Sequence, residues 1–150
     1  MTRHWQLMRD AQTFLGASML ANNALIGIHF AQIAKSKGTS PNVDHINKID
    51  DGIKLLTEVL KTLEARERQE KVSSEALSVL YAISQGRLVR EPLALKRIIA
   101  GSIDELQRFK GGEIETLEEA EGLLEIIVNS TAEEATKASS KIRIFMMEAR

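Results

Sequence analysis

The chain of 150 residues has no cysteine, which excludes disulfides, thiolate zinc sites, iron–sulfur clusters and a cysteine nucleophile. Two prolines and nine glycines are few breakers for this length. No charge sign dominates: 20 basic residues stand against 21 acidic ones, a net charge of −1, so composition points neither to a polyanion-coating protein nor to an acidic disordered tail. Several signatures of catalysis are also missing. Gly111-Gly112 lacks the Lys-Ser/Thr continuation of a phosphate-binding loop, no serine or threonine sits in a nucleophile-elbow context, and no Glu-x-x-His marks a di-iron bundle. There is no repeat at a fixed period and no low-complexity tract.

Apolar residues recur at intervals of three and four, the period of an amphipathic helix, and no stretch alternates as a strand does. The pattern predicts an all-α chain, an antiparallel bundle of about five or six helices. The first runs from about His4 to Leu20 with Leu7, Met8, Ala11, Phe14 and Leu15 on its apolar face. Asn22-Asn23 predicts a turn, because an asparagine amide competes for nearby backbone groups, and a second helix begins at Ala24. Its rows Leu25, Ile28, Ala31 and Ile26, Phe30, Ile33 predict burial on two sides, and Gly38 after Lys35 and Lys37 ends it. Ser40-Pro41 offers an N-cap and a preset first residue for a third helix carrying Ile49, Ile53, Leu56 and Val59.

Ser73 or Ser74 caps a fourth helix bearing Leu77, Leu80, Tyr81 and Ile83; Pro92 opens a fifth, which Gly111-Gly112 stops. Thr116-Leu-Glu-Glu119 reads as a capping box that starts a sixth helix through Leu123, Leu124 and Ile127. Ser130-Thr-Ala-Glu133 repeats the box and predicts a break near Asn129. The domain reading is therefore a bundle over 1–129 and a C-terminal helix over 130–150, docked on the bundle or on a partner through its apolar end at Ile144, Phe145, Met146 and Met147.

Histidines at positions 4, 29 and 45 fall on separate predicted elements and do not converge on a metal. His29 in its apolar row reads as a core histidine bonded to a carbonyl; His45 beside Asp44 reads as solvated. The carboxylates from Glu113 to Glu125 read as acids around a helix N-terminus, where they favour its dipole, so neither a metal nor a cofactor is expected.

Charge is nevertheless blocked along the chain. Residues 87–110 hold six basic groups (Arg87, Arg90, Lys96, Arg97, Arg108, Lys110) against three acids, and residues 112–136 then hold eight Glu with no Lys or Arg. Such blocks steer partners or pair protomers. The basic group leaves nucleic acid open as a partner, although no aromatic side chain is interleaved among Arg87, Arg90, Lys96 and Arg97 for base stacking.

From Ala11 to Ala34 there are 24 residues without a charge, enough to cross a bilayer by length. Gln12, Ser18, Asn22, Asn23, His29 and Gln32 interrupt the stretch, and each amide at the bilayer midplane would need a partner. The expectation is a cytoplasmic protein outside the membrane.

The order of elements resembles the HEPN superfamily of small helical bundles. The residues that carry the resemblance are Phe14-Leu-Gly-Ala-Ser-Met-Leu20, Asn23-Ala-Leu-Ile-Gly-Ile-His-Phe-Ala through Lys37-Gly38, Asp44-His-Ile-Asn-Lys-Ile with Leu55-Leu56, and Gly111-Gly112 through Leu124. Catalytic members resemble one another in an Arg followed four to six residues on by a His. Here Arg108 is followed by no His, all three histidines preceding residue 46, so the resemblance implies the scaffold without that ribonuclease pair. No residue is assigned as catalytic.

The leading functional reading is a non-catalytic association module, a homodimer or a small subunit of a larger assembly, with Leu25, Ile28 and Ile144 to Met147 as its interface. Two alternatives stand beside it: a HEPN-type ribonuclease or toxin-system component using another constellation, and a nucleic-acid-binding subunit of a defence or ribonucleoprotein complex.

Overall fold

Asn22 and Asn23 do not break the first helix. In the computed structural model, which describes residues 2–65, 73–85 and 92–148, α1 runs without interruption over Thr2–Ser36. An asparagine in a helix costs roughly 0.7 kcal/mol relative to alanine. That cost is small against the burial of Ala17, Ala21, Ala24, Ile28 and Ala31, which lie on one side of α1 and are closed to solvent. The remaining helices among the described residues are α2 (Val43–Ala65), α3 (Ser74–Gln85), α4 (Pro92–Lys110) and α5 (Ala120–Glu148), with no strand.

The expected break near Asn129 is also absent. Thr131, fully buried, donates its hydroxyl proton to the Ile127 carbonyl one turn back at 2.6 Å, so it is satisfied inside the helix rather than capping a new one. Residues 130–148 are therefore the second half of α5 and not a separate element.

Two predicted caps are replaced by others. Asn42, not Ser40, caps α2: its Oδ1 accepts from the Asp44 amide at 3.1 Å. At α5 the Thr116 box is not formed, because the helix starts at Ala120. The orphan amides there meet a carboxylate from another helix. Glu105 of α4 accepts from the amides of Glu118 at 2.6 Å, Glu119 at 3.2 Å and Ala120 at 3.4 Å. A charged acceptor on several donors of a helix N-terminus is stronger than a hydroxyl on one. Ser73 does cap α3, accepting from the Ala76 amide at 3.1 Å.

Both predicted glycine stops are present. Gly38 and Gly112 have φ of +73° and +80°, and the following amides of Thr39 and Glu113 each return 2.9 Å to the carbonyls of Ala34 and Arg108.

The helices form an up-down-up-down bundle of four columns. α1 packs along α2 and α5; the third column is made of α3 followed by α4, both lying against α2 and α5, with α3 also against α1. The α1/α2 crossing is very close. A Cβ added at Gly27 would lie 2.5 Å from the His45 carbonyl oxygen, and one added at Gly52 would lie 2.5 Å from the Ala24 Cβ. Leu55, Leu56, Val59, Ile99, Leu106, Phe109, Leu124 and Ile127 fill the space between the columns.

Lys35, in the last turn of α1, ties this end of the bundle. Its Nζ lies 4.3 Å from the centre of the Phe109 ring and donates to the Ile114 carbonyl at 3.3 Å, so the end of α4 and the turn beyond it are held by one cation.

Two outcomes check these contacts in chemical denaturation. Gly27→Ala lowers the unfolding free energy by about 1–3 kcal/mol through overpacking, and an unchanged midpoint would mean the two helices lie farther apart. Glu105→Ala costs about 1–2 kcal/mol while Thr116→Ala changes stability by only a few tenths; the opposite ranking would restore the capping box.

Candidate interaction surface

The close crossing with α2 decides which residues α1 turns inward. Only small side chains fit there, so the buried face is largely alanine and glycine: Ala11, Ala17, Ala21, Ala24, Gly27 and Ala31, with Ile28 as its one large member. The large apolar residues consequently point out. Met8, Leu15, Met19 and Phe30 are 36%, 50%, 65% and 45% exposed. At 100° per residue they share one side of α1 with Gln12 and Asn22, both exposed, and with Ile26 and Ile33, both half-buried. A single exposed leucine is ordinary on a protein surface, whereas an apolar strip along a whole helix marks an interaction site.

This arrangement corrects several sequence expectations. The predicted inward face of the first helix is partly reversed: Met8 and Leu15 are exposed, Phe14 is half-buried and Ala11 is buried, while the Leu7 side chain lies outside the described residues. His29 is exposed instead of lying in the core; it meets the Phe30 ring edge-on at 5.7 Å, and Phe30 in turn stacks on His45 at 4.7 Å. Leu77 and Tyr81, expected on the apolar face of α3, are 47% and 51% exposed because Ala76, Val79 and Leu80 take the inward positions.

Of the predicted interface residues, Ile28 is fully closed off inside its own chain and has no surface to offer a partner. Leu25 is half-buried. Ile144, Met146 and Met147 are exposed at the end of α5; the Phe145 side chain lies outside the described residues. Ser18 of α1 donates to the Val128 carbonyl at 3.3 Å, so α5 runs antiparallel to α1 and these methionines lie at the end of the bundle where α1 starts.

The basic residues are divided between the two ends of α4. Lys96 is half-buried and Arg97 exposed in its first half, while Arg87 and Arg90 lie outside the described residues. Arg108 meets Glu113 at 3.2 Å and Asp104 at 3.9 Å, and Lys110 meets Asp50 at 2.6 Å. The pairs at the far end thus partly neutralise the positive charge there.

A cleft of about 360 Å³ opens between α1, α3 and α5, with Phe14, Tyr81 and Ala138 among its apolar walls and Asp10, Glu134, Lys137 and Lys141 around them. Phe14 and Tyr81 lie 6.0 Å apart, ring centre to ring centre. The carboxylate of Glu134 accepts a hydrogen bond from Lys137 at 3.2 Å, and that bond with its charge holds the Lys137 ammonium above the usual lysine range. Among the described residues no three His, Asp or Glu side chains are grouped as a metal would need.

Comparison with protein-family models, curated proteins and solved structures finds no match for the chain. The class that the fold defines is an all-α four-column bundle with an apolar outer strip on its longest helix. Within that helix, Met8–Ser36 is long and apolar enough by length and composition to cross a membrane, while its alanine face is occupied by the bundle.

Apolar periodicity does not reveal the strip in the sequence, because it registers polarity and not side-chain size. Alanines at 17, 21, 24 and 31 are themselves spaced as one helical face, and that regularity was the available signal for which side is inward. Ile28→Asp unfolds the protein, since an unpaired charge in the core costs several kcal/mol, whereas Met19→Asp keeps its helical circular dichroism. Equal loss of helicity in both variants would place Met19 in the core.

Proposed function

We propose that this protein is a non-catalytic helical association module that works through the outer face of α1. The observation that carries the reading is the reversed size pattern of that helix, with alanine inside and Met8, Leu15, Met19 and Phe30 outside. Leaving such a strip in water forgoes roughly 25 cal/mol for each Å² of apolar surface. Covering it with a second apolar helix face recovers that free energy, which is the ordinary driving force of association.

The same reading gives the HEPN-like order of elements a consistent meaning, as a bundle scaffold used for contact in a chain without the Arg-then-His pair. It gives no role in chemistry to the charged groups of α4; of its exposed cations, Arg108 and Lys110 have carboxylate partners. On this reading the protein acts in the cytoplasm, as part of an assembly.

Native mass spectrometry and sedimentation test it. The expected result is a species heavier than the 16.7 kDa chain, reduced to that mass by Leu15→Asp or Met19→Asp with helicity retained. A wild-type monomer without a co-purifying chain, or an assembly indifferent to both substitutions, would refute the reading.

A further inference from the structure

We infer that the partner of this face is a second copy of the chain, with the two α1 helices parallel and in register. The inference rests on the association reading above and adds the occupant, the orientation and the register.

The spacing of the strip argues for two like helices. Met8, Gln12, Leu15, Met19, Asn22, Ile26, His29 and Ile33 follow one another at intervals of four, three, four, three, four, three and four, with His29 exposed. That is the 3.5-residue repeat of a two-stranded coiled coil. From Met8 to Ile33 the seam is about 38 Å long, between three and four heptads.

Charge argues for the same occupant. The seam lies almost wholly inside the uncharged segment from Ala11 to Ala34, while α2, α4 and α5 expose charged residues such as Lys54, Arg97 and Glu125. A charged partner finds nothing on the strip from Ala11 to Ala34 to pair with. Another copy brings no charge into that stretch of the contact, where the positions flanking the seam include Gly16, Ser18, Asn23 and Leu25; Arg9, exposed at its N-terminal edge, is the flanking charge.

The two amides choose the orientation. Gln12 and Asn22 are exposed on the seam, and burying either against a hydrocarbon side chain would leave a donor and an acceptor unpaired. Each amide carries both a donor and an acceptor, so it is complementary to a copy of itself. Parallel, in-register pairing places Gln12 opposite Gln12, Asn22 opposite Asn22 and His29 opposite His29, each a group with a donor and an acceptor facing its own copy. Antiparallel pairing about the seam's midpoint instead sets Asn22 against Met19 and Gln12 against His29, leaving the Asn22 amide facing a thioether. A polar residue at one such position also fixes the register, because any slip buries it against an apolar neighbour.

The absence of cysteine makes the test direct. Met8→Cys and Leu15→Cys are made separately, so each chain carries a single thiol on an exposed position, and a third variant, Glu125→Cys on α5, serves as control. Under mild oxidation, parallel pairing brings both seam thiols within bridging distance of their own counterparts. The expected result is that Met8→Cys and Leu15→Cys each run at twice the chain mass in a non-reducing gel while Glu125→Cys does not. In the antiparallel arrangement residue 15 lies opposite residue 26, about 16 Å along the seam from its counterpart, and neither seam variant crosslinks.

A dimer by native mass spectrometry with no crosslink at either position would overturn this pairing and leave the association reading standing. A wild-type monomer would overturn both, as would a monomer that floats with phosphatidylcholine–phosphatidylglycerol vesicles, which would assign the strip to a lipid surface.

Discussion

The near contact of two backbones at Gly27 and Gly52 governs most of what surrounds it. With the His45 carbonyl and the Ala24 side chain so close, neither glycine position admits a methyl group without displacement. Apart from Ile28, the inward residues of α1 over that crossing are small, and a helix whose inner face is mostly alanine contributes little hydrophobic area of its own. Its hold on the bundle comes from what α2 and α5 press against it, including Ile49, Leu56, Leu124 and Ile127. Dispersion contacts over a tight fit replace bulk here, since packing density rather than side-chain size sets the attraction.

Three charged groups hold the end of the bundle where α1 stops. Lys35 reaches from α1 to the Phe109 ring and the Ile114 carbonyl, Glu105 reaches from α4 to the first amides of α5, and Lys110 reaches to Asp50 of α2. Together these contacts anchor the turn between α4 and α5, with Leu117 buried beneath it. The dense acids after Gly112 thereby divide by role: Glu113 is paired with Arg108, while others stay in solvent around a helix start whose amides already have a carboxylate. Surface pairs of this kind contribute little individually; the amide contacts of Glu105 and the carbonyl contact of Lys35 matter more because they satisfy helix ends.

Helix class, the glycine stops and the cores of α2, α4 and most of α5 could be read from the sequence, because Leu56, Val59, Ile99, Leu106 and Leu124 recur at helical spacing with charged residues opposite. α1 defeated that reading. Its two sides are both apolar, so periodicity could not tell inside from outside, and the asparagine pair was judged by local preference where long-range burial prevailed. The caps failed for a related reason. Thr116 and Ser130 have the right residue type at the right spacing, but the acceptor that starts α5 comes from Glu105, a dozen residues upstream on another helix, and no local motif records that. The exposed apolar end of α5 at Ile144, Met146 and Met147 is legible in the sequence, whereas Ile28, expected at a partner interface, is closed off within its own chain.

The antiparallel pairing of α1 with α5 has a consequence for how the chain comes to be folded. Ser18 meets Val128 across 110 positions of sequence, so the longest helix cannot complete its inner contacts until the last helix exists. At about 5–20 residues per second of ribosomal synthesis, that leaves α1 waiting on the order of 5–20 s with its outer strip and its α5-facing side uncovered, only α2 and α3 being available to it. Helical bundles usually fold quickly because their neighbours are close in sequence; this one joins its first and last helices, and its nascent form is the state in which a helix with a long uncharged segment is most open to capture by whatever apolar surface it meets first.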